Sequence, residues 1–396
     1  MRILFVSAPL IGHLFPMVPL AVALREAGHE VRVAAGGDAA AARPAGLDVD
    51  DVVPGFDFSR IARRVLLRHP LIGRAELAGK GGTRGVALLF GAVNDELLGG
   101  TVRLAREWSP DIVVYEPLAA AGAHAAAELG VPAVLHGNTL FDEAELVRVT
   151  AAKMRHQRAG GLPADRLVLS VAPPSLVGPR ETRAIRFVSY GGESELPDLL
   201  REPPADRPRI LVSHSTVPGP GGGDLIGAAI AAAPGVEAEV VLVRPGADKI
   251  HAEGRSDESG SRRLPGALSE RSWQRPGGER DLPPNVRAVG WTPFAEALPT
   301  CAGLVHHGGA GTLLAALAAG VPQIVVPGLG DRRRNAELVA ARGAGLAVPV
   351  RDLDAAVLQR LVTDEGLAAA AGEVRAEMAA LPHPAELVPD VVALAS

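Results

Sequence analysis

Twice along this chain a short apolar run gives way to a loop bearing glycine or proline, then to a helical stretch, then to another apolar run. The first instance is residues 2–7 (RILFVS), a Pro/Gly loop, a helical stretch from Met17 to Ala27 closed by Gly28, and a second run from His29 to Ala35. The hydrophobic period switches from strand to helix and back, which is the opening of a βαβ unit. The pattern recurs with a strand at 111–115 (DIVVY), a helix expected over 118–129 and a strand at 131–136 (VPAVLH). Such alternation predicts an α/β fold, a parallel sheet covered by helices on both faces.

Residues 191–208 are rich in Gly, Pro and charge and read as a linker. Arg209–Ser213 (RILVS) then starts a second series, with strands expected at 238–243, 286–289, 303–306 and 322–326 and a helix over 311–319. Residues 1–190 and 209–380 thus imply two facing Rossmann-like domains, and 396 residues suffice for two cores. Open α/β sheets bind ligands at the carboxyl ends of their strands, so a cleft between two such edges suits a two-substrate reaction. Residues 55–105 read as an irregular zone, the natural wall of a variable pocket. Residues 244–284 are polar and cannot bury enough apolar surface to fold alone, so they read as a surface loop or as a lid.

A formal charge of −5 gives no electrostatic case for nucleic acid. Cys301 is the only cysteine, which excludes an internal disulfide or a cysteine-based zinc cluster; before an apolar strand it reads as a small buried hydrophobe. The opening MRILFVSAPL is too soon interrupted for a signal peptide, and no apolar run approaches the ~20 residues of a membrane span. The expected location is the cytoplasm.

The most informative segment is His306-His307-Gly308-Gly309-Ala310-Gly311-Thr312, between a strand and a helix. Glycines leave backbone N–H groups open, and the helix N-terminus adds roughly half a positive charge. Together they suit a diphosphate, with Thr312 and His307 as further donors. The alternative is a tight turn whose glycines serve only packing. No Gly-Lys-Ser/Thr follows, so it is not a P-loop. Ser215 and Thr216, after the first strand of the second half, are either phosphate donors or ordinary turn hydroxyls.

From His307 to Thr312, then through Ala319-Gly320-Val321-Pro322-Gln323, Pro327, Asp331 and Asn335, the chain resembles the donor signature of the GT-B glycosyltransferases of family 1. It is most similar to the actinobacterial antibiotic glycosyltransferases, such as the calicheamicin enzymes. The similarity includes Gly12-His13-Leu14-Phe15-Pro16, Val289-Gly290-Trp291-Thr292-Pro293 and Leu381-Pro382-His383-Pro384-Ala385-Glu386. The resemblance implies a GT-B fold whose tail, residues 381–396, crosses back onto the first domain. It also implies a sugar nucleotide donor and a hydrophobic acceptor.

A lone histidine in the loop after a first strand is more often structural; the resemblance makes His13 the general base for an acceptor hydroxyl. Imidazole suits that task because its pKa lies near neutrality. Glu116 stands where the family generally places the Asp that holds this histidine, and is otherwise a solvated strand-end carboxylate; Asp111 reads as structural. Trp291, with Thr292 beside it, is either interdomain core or a flat face for the nucleotide base. The resemblance extends donor contacts to Gly308, Gly309, Ala310, Gly311 and Asp331.

Two positions depart from the family. Many members that use uridine diphosphate sugars carry a ribose-binding Glu where this chain has Ala315, which favours thymidine diphosphate (TDP). The family's Asp-Gln pair reads Asp331-Arg332, and Arg cannot accept a hydrogen bond, which suits a deoxygenated or modified sugar over glucose. Arg332–Arg334 is otherwise a solvated charged run. No paired carboxylates of D-x-D type stand where a metal would bridge a diphosphate, so the expected reaction is an inverting, metal-independent transfer from a TDP-sugar to a small hydrophobic aglycone. Alternatives on the same fold are a nucleotide-sugar epimerase, a non-catalytic auxiliary subunit and a C-glycosyltransferase. A homodimer is left open.

Overall fold

The computed structural model describes residues 1–41, 46–77, 83–156, 162, 164–192, 194–213, 224–243 and 282–395. They form two wholly parallel sheets. The first contains β1 (Arg2–Val6), β2 (Glu30–Ala35), β3 (Asp48–Asp51), β4 (Ile112–Tyr115), β5 (Ala133–His136), β6 (Leu167–Ser170) and β7 (Arg183–Ala184), in the order β3-β2-β1-β4-β5-β6-β7. The second contains β8 (Arg209–Ser213), β9 (Glu239–Val243), β10 (Val286–Val289), β11 (Gly303–His306), β12 (Gln323–Val325) and β13 (Gly345–Ala347), in the order β10-β9-β8-β11-β12-β13.

The central strands are apolar and buried on both faces: Ile3 to Val6 in β1, Ile112 to Tyr115 in β4, Ile210 to Val212 in β8. That is the pattern of a sheet sandwiched between helix layers. In each sheet the strand order reverses beside the first strand, between β1 and β4 and between β8 and β11. Loops leaving the two strands at such a point turn away from each other and open a crevice. The register sets Val6 beside Tyr115 and Ser213 beside His306, so the loops after each pair start level with one another.

Residues 55–105 are more regular than the sequence suggests. They hold helices at Phe58–Arg68, Pro70–Leu77 and Thr83–Trp108, the first capped by Asp57, whose carboxylate accepts the Arg60 N–H at 3.0 Å. The last of these runs 26 residues despite Gly91, Gly99 and Gly100. Gly100 is required by packing: a Cβ there would lie 2.0 Å from the Val52 carbonyl oxygen. Cys301 is half-buried, not fully buried; burial pushes its thiol up to about 11, against the opposing pull of Thr300 and Arg209.

The end of the chain returns to the first sheet's side. The Arg186 backbone N–H donates to the Pro382 carbonyl at 2.8 Å and its Nε to Leu381 at 3.0 Å. Arg183 pairs with Asp390 at 3.0 Å, and Leu387 and Val391 are buried in one apolar cluster with Val18 and Leu20. Among the described residues no helix is long and apolar enough to cross a membrane.

Candidate active site

The chain leaves β1 at Val6 and turns into a four-residue helix, Ile11–Leu14, so His13 is helical and not part of a loop. No side chain within this helix caps it. Asp38, from the first turn of the short helix Gly37–Ala41 after β2, does so by accepting the Ile11 N–H at 2.9 Å. Proline at positions 16 and 19 then favours the turns that follow.

Glu116 is the first residue after β4 and is wholly buried. An isolated carboxylate there would be costly. Its Oε1 accepts from the Ala8 N–H at 3.1 Å and lies 3.2 Å from His13 Nδ1; its Oε2 accepts from the Leu118 N–H at 2.8 Å and from Asn138 Nδ2 at 3.3 Å. The carboxylate therefore fixes Nδ1–H as the donor tautomer and leaves Nε2 as the basic nitrogen. Burial alone works to lower the His13 pKa. The charge and hydrogen bond of Glu116, with smaller help from Asp331 and Asp38, outweigh it and hold the imidazole above its ordinary 6.5. The His13 ring also rests near Phe90, with centroids 5.2 Å apart.

On the facing sheet, β11 ends at His306, whose geometry shapes the glycine loop. His306 Nδ1 accepts the Gly308 N–H at 3.1 Å, so Nε2–H donates to Gln323 Oε1 at 2.7 Å. Burial pulls His306 down to about 4, opposed by the Gln323 bond, and the ring stays neutral. Gly308 adopts φ +85°, a conformation glycine takes without strain, and Asn335 Nδ2 grips its carbonyl at 2.8 Å. Helix Ala310–Ala319 begins directly after, with no side chain capping it at Gly309. A Cβ on Gly311 would meet nothing within 4 Å. The amides at 310–312 thus start an open helix end facing the cleft, an anion site by geometry.

Both loops line one cavity of about 760 Å³, together with Trp291, Thr292, Asp331 and Arg332. The Trp291 Nε1–H donates to the Gly191 carbonyl at 3.0 Å, tying the indole edge to the segment between the sheets. Gly191 in turn has no room for a Cβ, which would lie 2.8 Å from Pro293 Cβ. Thr292 is buried and its hydroxyl donates to the Gly290 carbonyl at 3.1 Å. Asp331 accepts from Asn335 Nδ2 at 3.0 Å; burial raises its pKa against the pull of Asn335, Arg332 and His13. Burial lowers the Arg332 pKa, opposed by Asp331. Much of the rest of the wall is apolar, including Phe58, Val65, Leu89, Phe90, Phe141 and Leu146.

The structure therefore gathers His13, Glu116, Trp291, Thr292, the stretch His307–Thr312, Asp331 and Arg332 around one cleft. Ser215 and Thr216 lie outside the described residues, as does 244–281. Ala315 is 4% exposed and packs in the apolar core. Asn138 and Asp38 are the members that sequence reasoning missed. Asn138 follows β5 at the carboxyl edge, which was a usable signal; Asp38 meets the His13 helix only through tertiary packing.

Two family models match the chain: "Erythromycin biosynthesis protein CIII-like, N-terminal domain" over residues 22–215 and its C-terminal counterpart over residues 271–394. Elloramycin glycosyltransferase ElmGT of Streptomyces olivaceus is 39% identical across 98% of this chain and 96% of its own length. The chain belongs to the EryCIII-like glycosyltransferases. The crystal structure of the glycosyltransferase SnogD from Streptomyces nogalater superposes with a TM-score of 0.74 at 33% identity, covering 100% of this chain and 99% of SnogD. SsfS6, a Streptomyces sp. SF2575 glycosyltransferase complexed with thymidine diphosphate, gives a TM-score of 0.74 at 26% identity, covering 99% of both chains. The two-sheet architecture of this EryCIII-like glycosyltransferase is thus the GT-B fold.

If Glu116 holds His13 above its ordinary pKa, Glu116→Gln removes the largest group opposing burial and leaves only the smaller pull of Asp331 and Asp38. The NMR titration midpoint of His13 should then fall. An unchanged midpoint would show that Glu116 does not control the imidazole.

Proposed function

We propose that this glycosyltransferase moves a deoxysugar from a TDP-sugar to a hydroxyl of a hydrophobic natural-product aglycone in antibiotic biosynthesis, with inversion and without a metal. One observation carries the reading: a single cavity has His13 on one wall and an uncapped helix N-terminus on the other. The acceptor hydroxyl lies against Nε2 and the diphosphate against the amides at 310–312. As the acceptor oxygen bonds to the anomeric carbon, its proton passes to His13 Nε2. The bond from that carbon to the diphosphate oxygen breaks, and the electron pair leaves with the diphosphate. Attack and departure on opposite sides of the sugar invert its configuration.

Glu116 orients the ring and stabilises the imidazolium as it forms. The helix end and its neighbours take the charge that grows on the leaving group, the role otherwise open to a cation. The apolar wall from Phe58 to Leu146 suits a hydrophobic acceptor. SsfS6 is a precedent for thymidine diphosphate on this fold. The buried Ala315 side chain has no acceptor for a ribose hydroxyl, so the deoxyribose of a thymidine carrier leaves less unpaired.

His13→Ala should lower turnover by roughly 10²–10⁴-fold, the usual range for a positioned base, with TDP affinity nearly unchanged. Turnover within a few-fold of the parent enzyme would remove His13 from the chemistry. Competition calorimetry checks the carrier: thymidine diphosphate should bind more tightly than uridine diphosphate, in line with ~1–3 kcal/mol for an unpaired buried polar group. A uridine preference would reverse that assignment.

A further inference from the structure

Three of the four large apolar side chains that the described residues leave exposed sit at one place: Leu66 at 45%, Leu67 at 77% and Leu71 at 77%. They surround the tip where helix Phe58–Arg68 turns into helix Pro70–Leu77. Gly73 lets the second helix close back on the first; a Cβ there would lie 3.2 Å from Leu66 Cδ2. The inner side of this hairpin, with Phe58, Val65, Leu66, Ile72 and Arg74, lines the acceptor cavity, whereas Arg63, Leu67, Arg68 and Leu71 do not.

The same hairpin concentrates positive charge. The two helices and the turn between them, residues 58–77, contain Arg60, Arg63, Arg64, Arg68 and Arg74 against a single carboxylate, Glu76. The chain as a whole is −5 and these five arginines are +5, so everything else sums to −10. Glu96 pairs with Arg60 at 3.3 Å and Arg64 at 3.1 Å, while Arg63, Arg68 and Arg74 have no carboxylate partner among the described residues. Leu67 and Leu71 stand open to water where one helix turns into the next. A protein partner would need a matching hollow, whereas lipid conforms to a tip. Apolar side chains flanked by arginines make up the composition of an element that lies at a headgroup boundary.

We propose that this hairpin docks the enzyme on an anionic lipid surface. Leu67 and Leu71 enter the headgroup boundary, and Arg63 and Arg68 meet the lipid phosphates. The cavity mouth then faces the phase in which an apolar acceptor dissolves. That corollary rests on the acceptor reading above; the docking itself does not.

Co-sedimentation of the full chain with phosphatidylcholine vesicles, with and without phosphatidylglycerol, tests the proposal. The protein should pellet with the anionic vesicles at low salt, not with the neutral ones, and high salt should release it. Leu67→Glu with Leu71→Glu, and separately Arg63→Gln with Arg68→Gln, should each cut partitioning about tenfold or more. Circular dichroism should show both variants folded. The proposal is overturned if the parent protein ignores anionic vesicles or if either folded pair binds as the parent does. It also fails if sedimentation velocity shows a dimer that the leucine substitutions dissolve while vesicles bind nothing.

Discussion

A carboxylate with no access to water has to be satisfied by the protein, and Glu116 organises the first half of the cleft for that reason. Its partners come from four places: the Ala8 amide after β1, its own loop at Leu118, Asn138 after β5, and His13. Three loops at the carboxyl edge of one sheet are tied through a single group. The arrangement explains why His13 has a fixed tautomer and an elevated pKa in surroundings that would otherwise depress it. Asp38 adds the last constraint by capping the short helix that carries the ring.

The second half uses no charged side chain in the same way. His306 is neutral, bonded to Gln323 on one side and to the Gly308 amide on the other, and Asn335 holds the Gly308 carbonyl. These contacts leave the first amides of helix Ala310–Ala319 pointing at the cleft. Because both sheets reverse strand order beside their first strands, the imidazole and the helix end line one cavity. Fold and chemistry are coupled at that step. The topology supplies two crevices, and their opposition makes one reaction chamber.

Much of this was legible in the sequence. The buried strands run close to their expected bounds, and the His307–Thr312 segment lies between a strand and a helix as the sequence reads. The helices between 58 and 108 were not, for two physical reasons. Glycines that read as breakers, such as Gly100, are instead positions where another backbone comes too close for a Cβ. Leucines that would mark a buried face, Leu67 and Leu71, point outward and blur the helical period. The helical state of His13 was hidden because the helix's cap, Asp38, lies 27 residues from Ile11 in sequence and reaches it only once β1 and β2 have paired.

The account turns on an anion meeting the exposed amides of one helix across from one imidazole. A crystal structure of the enzyme with thymidine diphosphate tests this directly. It should place the distal phosphate within about 3 Å of the backbone nitrogens at 310–312, on the side of the cavity facing His13. A nucleotide bound away from that helix end, with those amides left to water, would contradict it.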